Sequence, residues 1–254
     1  MQKFILELFL TLHGIGAASG ISYTNDALYV IADNSNALYR YDLLKQNLES
    51  TALIGTLQDG PIPKAEKSDF ESICLRGEEL LILGSGSTAK RNSLIRYNIQ
   101  TKELQQEDLT STYSTLQNNY HIDQDNFNIE GLISNDQELW LFNRGNGMAQ
   151  KNGIFVIDAD SYAAKGYYPI ALPEIDGVAT SFTDALLYEG DIYILAAAED
   201  ATSTYHDGEI KGSILAVMNL QDKTIKETIL ISSTHKFEGI SALKKTDHRL
   251  SFVL

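Results

Sequence analysis

Four carboxylates recur along the chain at a regular interval, each followed by a small residue and then an aliphatic one: Glu71-Ser72-Ile73, Glu130-Gly131-Leu132, Asp184-Ala185-Leu186 and Glu238-Gly239-Ile240. Ser19-Gly20-Ile21 has the same form with a hydroxyl in place of the acid. The middle residues, at 20, 72, 131, 185 and 239, stand 52, 59, 54 and 54 residues apart. Carboxylates gathered in one place repel strongly unless something compensates. A Ca²⁺ ion, which takes about six to eight oxygen ligands, is one solution. Lysine, arginine or the backbone amides of the next repeat are another. In the first case Glu71, Glu130, Asp184 and Glu238 are metal ligands and catalytic groups, because a bound cation polarises a substrate and acidifies a bound water. In the second they clamp one repeat to the next. Both readings stay open on the sequence.

A second polar set follows each repeat's central apolar run: Asp33-Asn34-Ser35, Gly84-Ser85-Gly86-Ser87-Thr88, Asn143-Arg144-Gly145-Asn146-Gly147 and Glu199-Asp200. Ser85, Ser87, Thr88, Arg91, Asn146, Glu199, Asp200 and Lys236 are the expected ligand-binding residues. Arg144 joins the catalytic set, since a planar guanidinium pairs bidentately with a carboxylate or an anionic ligand. Glycines with hydroxyls and nearby cations, as in Gly84 to Arg91, can cradle an oxyanion. The segment is no P-loop, because the spacing and the Gly-Lys-Ser/Thr ending are missing. It is no nucleophile elbow either, since it lies between two strands. Lys67 is a further candidate cation, and the loop from Glu199 to Asp207, with Tyr205 and His206, a source of oxygen ligands or a lid.

The elements that must position these residues are strands. Each motif is followed by an apolar run: Leu28–Ile31, Leu80–Leu83, Leu139–Phe142, Ile192–Leu195 and Leu250–Val253. A third strand follows the first four, at 38–41, 94–97, 154–157 and 214–217, and a weaker fourth completes each unit. β-branched and aromatic residues dominate these runs. Four strands per period of about fifty residues marks the blades of a β-propeller. The expected fold is all-β: a single domain over residues 1–254, with about five four-stranded blades. No sustained helical period is evident. The stretches 58–68 and 110–126 read as long polar insertions. Lys3 to Leu12 is expected to close the ring as the outer strand of the last blade, and the ending inside that blade's second strand suggests a chain shortened at its C-terminus.

A formal net charge of −14 argues against nucleic acid and anionic membrane as partners and favours cations or basic partners. The expected partner is a small molecule or a protein. Cys74 is the single cysteine, so no disulfide forms within the chain. A buried structural thiol is expected there. Met1 to Gly20 reads either as the first strand, consistent with a cytoplasmic protein, or as a secretory leader that would place it outside.

The series Asp69-Phe70-Glu71, Asn128-Ile129-Glu130-Gly131, Arg144-Gly145-Asn146, Ser181-Phe182-Thr183-Asp184 and Lys236-Phe237-Glu238-Gly239 resembles a bacterial β-propeller family of unknown function. More distantly, the repeated E-G-[IL] motif is similar to that of phytase-like and esterase-like propellers. That resemblance implies Ca²⁺ in a carboxylate ring and hydrolysis of a small phosphorylated or ester substrate at the channel mouth. A non-catalytic binding propeller and a sugar-lactone hydrolase are the alternatives.

Overall fold

The computed structural model describes residues 4–145, 152–200, 208–246 and 249–254. The first blade is the antiparallel sheet β1 (Ala18–Thr24), β2 (Ala27–Ala32), β3 (Ala37–Asp42) and β4 (Asn47–Ala52), in that order. The second is β5 (Phe70–Arg76), β6 (Glu79–Gly84), β7 (Ser93–Asn98) and β8 (Leu104–Asp108). The third is β9 (Ile129–Asn135), β10 (Glu138–Asn143), β11 (Gly153–Asp158) and β12 (Ala164–Pro169). The fourth joins β14 (Val178–Tyr188), β15 (Asp191–Asp200), β16 (Glu209–Asn219) and β17 (Ile225–Ser232), with the short β13 (Glu174–Ile175) beside β14. A two-stranded sheet, β18 (Ser241–Thr246) with β19 (Arg249–Val253), follows. The fold is therefore all-β and propeller-like, with four full blades. The fifth four-stranded blade expected from the repeat is not found among the described residues.

Tight hairpins join the first two strands of each blade, and their residues explain why. A two-residue type I′ turn, whose twist suits the strands, needs positive φ at both positions, as in blades one and four. Asn25 and Asp26 adopt φ of 51° and 54°, and Glu189 and Gly190 adopt 51° and 84°.

The core lies between blades. Alternate residues of each central strand point to opposite sides. Ile82 faces the first blade's Tyr29, Ile31 and Leu38, whereas Leu81 and Leu83 face the third blade's Ile129, Leu139 and Leu141. Trp140 and Phe142 then pack on the fourth blade's Phe182, Ile192 and Ile194. Burial on both faces accounts for the continuous apolar runs, and the outer β4 and β8, mostly exposed, are polar.

Two expectations need correction. Within the stretch 110–126, Thr110–Tyr120 forms a helix, α1. Leu109, Tyr113 and Leu116, spaced four and three apart, anchor it in the core between blades two and three, with Tyr120 partly buried against the same core. That stripe is narrow and the rest of the segment is polar, so the period is faint. The segment 4–17 forms no strand. It runs beside β18 and β19 along a cleft of about 1450 Å³, with Phe4 packed near Leu195, Leu215 and Phe252. Its Leu8 and Phe9 are exposed, so it lacks the paired backbone of a closing strand.

Candidate functional site

The innermost strands β1, β5, β9, β14 and β18 stand side by side around the axis. Glycines permit the approach. A Cβ on Gly131 would lie 3.0 Å from the Ala185 nitrogen, and one on Gly239 would lie 2.9 Å from the Ile21 nitrogen. The Tyr23 amide donates to Ser241 Oγ across the seam between the two-stranded sheet and blade one.

Each of β1, β5, β9 and β14 carries one extra residue relative to its partner strand. Gly20 pairs with Ile31, Ser72 with Leu83, Gly131 with Phe142 and Asp184 with Leu195, leaving Ser19, Glu71, Glu130 and Thr183 as the bulged residues. Bulges re-aim a side chain and recur beside functional sites. The register shows that Asp184 stands one position past Glu71 and Glu130, and that Thr183 is their counterpart. Asp184 is 1% exposed. Its Oδ1 accepts from the Ala185 amide at 2.7 Å and its Oδ2 from the Ile240 amide at 2.8 Å, across the seam to the two-stranded sheet. Asp184 is thus a clamp between repeats rather than a member of the carboxylate ring. Burial pushes its carboxyl well above the usual range, and the two amides pull it back.

The remaining ring is threaded by ion pairs. On one side Lys67 bridges Asp33, at the end of the first blade's central strand, to Asp69 at 2.6 Å. Asp69 also takes Arg91 Nη1 at 2.8 Å and the Ser85 hydroxyl at 2.5 Å. Arg91 Nη1 reaches Ser87 Oγ at 2.6 Å. The hydroxyls and guanidinium of the segment Gly84 to Arg91, expected to cradle a ligand's oxyanion, hold the protein's own Asp69 carboxylate instead. Gly86 makes the turn possible: its φ is 74°, and a Cβ there would strike Phe127 and Tyr113 at 2.5 and 2.8 Å. Thr88, by contrast, is exposed and precedes a single 3-10 turn, away from this network.

On the other side Arg144 lies 3.5 Å from Glu130 and 3.3 Å from Glu199. Lys236 joins Glu199, at 3.6 Å, to Glu238, at 2.5 Å. Glu199 also accepts the Gly208 amide at 2.9 Å. Burial raises the Glu199 carboxyl, but that amide, Lys236 and Arg144 together hold it below the usual range. Asp200, the last residue of β15, is exposed and outside this chain of contacts. Asn146 lies outside the described residues, as do Tyr205 and His206.

Glu71 is the exception. It accepts no hydrogen bond and forms no ion pair among the described residues, while Glu130, Asp69, Asp33 and Glu238 surround it with negative charge. Burial first, and those charges second, push its carboxyl well above the usual range. The cause is in the sequence two residues earlier. Asn128 donates to Glu130 at 2.5 Å and Lys236 pairs with Glu238, but the residue two before Glu71 is Asp69, which cannot donate. Sequence reasoning left Asp33, Asp69 and Thr183 out of the site. The polar residue recurring two before Glu71, Glu130 and Thr183 was the signal for Asp69; nothing in the sequence marked the bulge itself.

As a metal centre, the expected four-residue ring does not fit. Asp184 is turned to two amides, Glu130 to Asn128 and Arg144, and Glu238 to Lys236. Oxygens of Asp33, Asp69 and Glu71 do lie within 4.8 Å of one another. Between Asp33 and Asp69, however, sits the Lys67 ammonium, which a divalent cation would have to displace. Cys74 is partly buried against the core of blades two and three, and burial pushes its thiol up, as expected of a structural residue.

Comparison with known families settles the relationship. A family described as "Family of unknown function (DUF6929)" matches residues 14–254. The chain belongs to this family. No curated protein matches it. Among solved structures, the N-terminal domain of Nup159 is similar over 85% of this chain and 49% of that one, at 14% identity and a TM-score of 0.38. The chain thus spans about half the length of that solved domain. A computationally designed protein, Ika4, is similar over 85% of this chain and 99% of its own, at 11% identity and the same TM-score of 0.38. Likeness that low carries no functional argument, so for this member of the family function rests on the site.

Proposed function

We propose that this protein is a non-catalytic binding propeller that recognises a small ligand at the mouth of its channel. One observation carries the reading: of the carboxylates that would hold a catalytic Ca²⁺, all but Glu71 are committed to amides, arginine or lysine of the protein itself. A fixed network of paired charges gives a rigid, polar rim suited to recognition. A protein partner at the same rim is an outcome the tests below distinguish.

The competing reading, a divalent-metal-assisted hydrolase of a phosphate ester, ester or lactone, has one feature in its favour. Asp33, Asp69 and Glu71 approach one another, and Asp33 Oδ1 is buried without a partner. Asp33, Asp69 and Glu71 would hold the ion, which would supply Lewis acidity. A thermal melt with Ca²⁺ or EDTA, each with and without inorganic phosphate, separates the two. A ligand at about a hundred times its Kd adds about 2.7 kcal/mol to stability. No shift with Ca²⁺ is expected. A Ca²⁺-dependent rise enlarged by phosphate would overturn the binding reading and restore the hydrolase.

A further inference from the structure

Among the described residues the ring leaves three groups unmet, and all three can accept a hydrogen bond. Glu71 offers a carboxyl group with no hydrogen bond or ion pair among the described residues. Asp33 Oδ1 is buried and unpartnered although Oδ2 of the same group holds Lys67. Thr183 is 1% exposed, its Oγ1 has no partner, and the bulge register places it at the ring position of Glu71 and Glu130. A buried polar atom without a partner is a cost that native structures seldom carry without a reason.

The charges around these acceptors point the same way. Lys67, Arg91, Arg144 and Lys236 each contact at least one of Asp33, Asp69, Glu130, Glu199 and Glu238. None contacts Glu71. The first and second blades are bridged at this level by Lys67, and the third and fourth by Arg144. Between the second and third, the carboxylates of Glu71 and Glu130 repel each other instead. An incoming anion would meet only acids and cations already paired. An incoming cation would meet the Glu71 carboxyl, which no lysine or arginine among the described residues holds, and would favour its ionised form on binding, in a chain whose net charge of −14 draws cations toward it.

Resting on the reading of the mouth as a binding surface, we propose that its ligand is an organic cation rich in N–H donors, a primary ammonium or guanidinium, seated on Glu71 between blades two and three. N–H groups satisfy acceptors that a bare quaternary ammonium cannot. Asp33, whose carboxylate lies within 4.8 Å of that of Glu71, then sets specificity among amines, and a Thr183 variant tests whether the hydroxyl at the matching register position reaches the ligand.

The test is calorimetric titration of the whole protein with methylguanidinium and with putrescine, against tetramethylammonium at the same ionic strength. The two N–H donors are expected to bind at least tenfold more tightly than tetramethylammonium. Glu71→Gln should weaken them at least tenfold, and Thr183→Val severalfold. Thermal melts check that both variants fold. Equal binding of all three cations, or binding unchanged in E71Q, would show diffuse attraction to an acidic surface and overturn the proposal. A parallel NMR screen with neutral and anionic fragments follows the amides of residues 71, 130, 183 and 238. Neutral or anionic fragments that bind there while the amines do not would leave the binding function standing and sink the cation. No perturbation by any compound would refute both.

Discussion

Replacing Asp184 by alanine removes the acceptor for two buried backbone amides at once, those of Ala185 and Ile240. Neither amide gains access to water, since Asp184, Ala185 and Ile240 are all at most 4% exposed. A buried donor left unsatisfied costs about 1–3 kcal/mol, so two cost about 2–6 kcal/mol. For a chain of this size each kcal/mol lowers Tm by about 2–4 °C, so a fall of order 10 °C is expected. Asp184→Asn keeps one acceptor and should lose about half as much. Urea unfolding gives the free energy, and hydrogen exchange locates it: the Ile240 amide should lose protection in D184A well beyond what the global change explains, because it belongs to the seam that Asp184 spans. A Tm within about 1 °C of the wild type, or an Ile240 amide that exchanges as before, would refute the clamp and return Asp184 to the ligand site.

Stability should fall as pH rises above the ordinary carboxylate range. Glu71, Glu130 and Asp184 all bind protons more tightly folded than unfolded, so each contributes stability below its unfolded pKa that is lost as pH climbs through the folded value. Each can contribute at most about 1.4 kcal/mol per pH unit. Glu199 has the opposite sign, and its contribution is lost as pH drops through its depressed folded value. Glu71→Gln should raise Tm at pH 8 and flatten the profile, and a Tm lowered at every pH would contradict the unpaired-acid account. Lys67→Met strands Asp33, while Asp69 keeps Arg91, and breaking a buried pair this way costs about 3–5 kcal/mol by chemical denaturation, with Asp33→Asn in the same chain restoring part of it. Gly86→Ala forces both a positive φ and a clash with Phe127, so a loss above about 2 kcal/mol is expected and a neutral melt would be the surprise.

Much of the ring was legible because inter-blade burial writes itself into the chain. Strands such as Leu139–Phe142, sandwiched by neighbours on both sides, must be apolar throughout, and their recurrence gives the repeat. Positions one residue apart were not legible. Asp184-Ala185-Leu186 has the same acid, small residue, aliphatic form as Glu130-Gly131-Leu132, but the bulge at Thr183 moves the acid out of the ring and against the next repeat. The pairing of Asp69 with Ser85, Ser87, Lys67 and Arg91 was likewise hidden, because those residues meet only when the loops of blades one and two come together. α1 was missed because its apolar residues are few and its other positions are polar.

The filled cradle of the second blade sets a rule for the whole mouth. Ser85, Ser87 and Arg91 face a carboxylate tethered to the same chain, and a tethered partner acts at an effective concentration that a dissolved one rarely matches. Phosphate, acetate and similar ions in the surroundings thus compete with an anion that never diffuses away. On the proposed reading the rim would turn away common anions while staying open at Glu71, a filter by sign of charge set by an aspartate two residues from the acid it leaves unpaired.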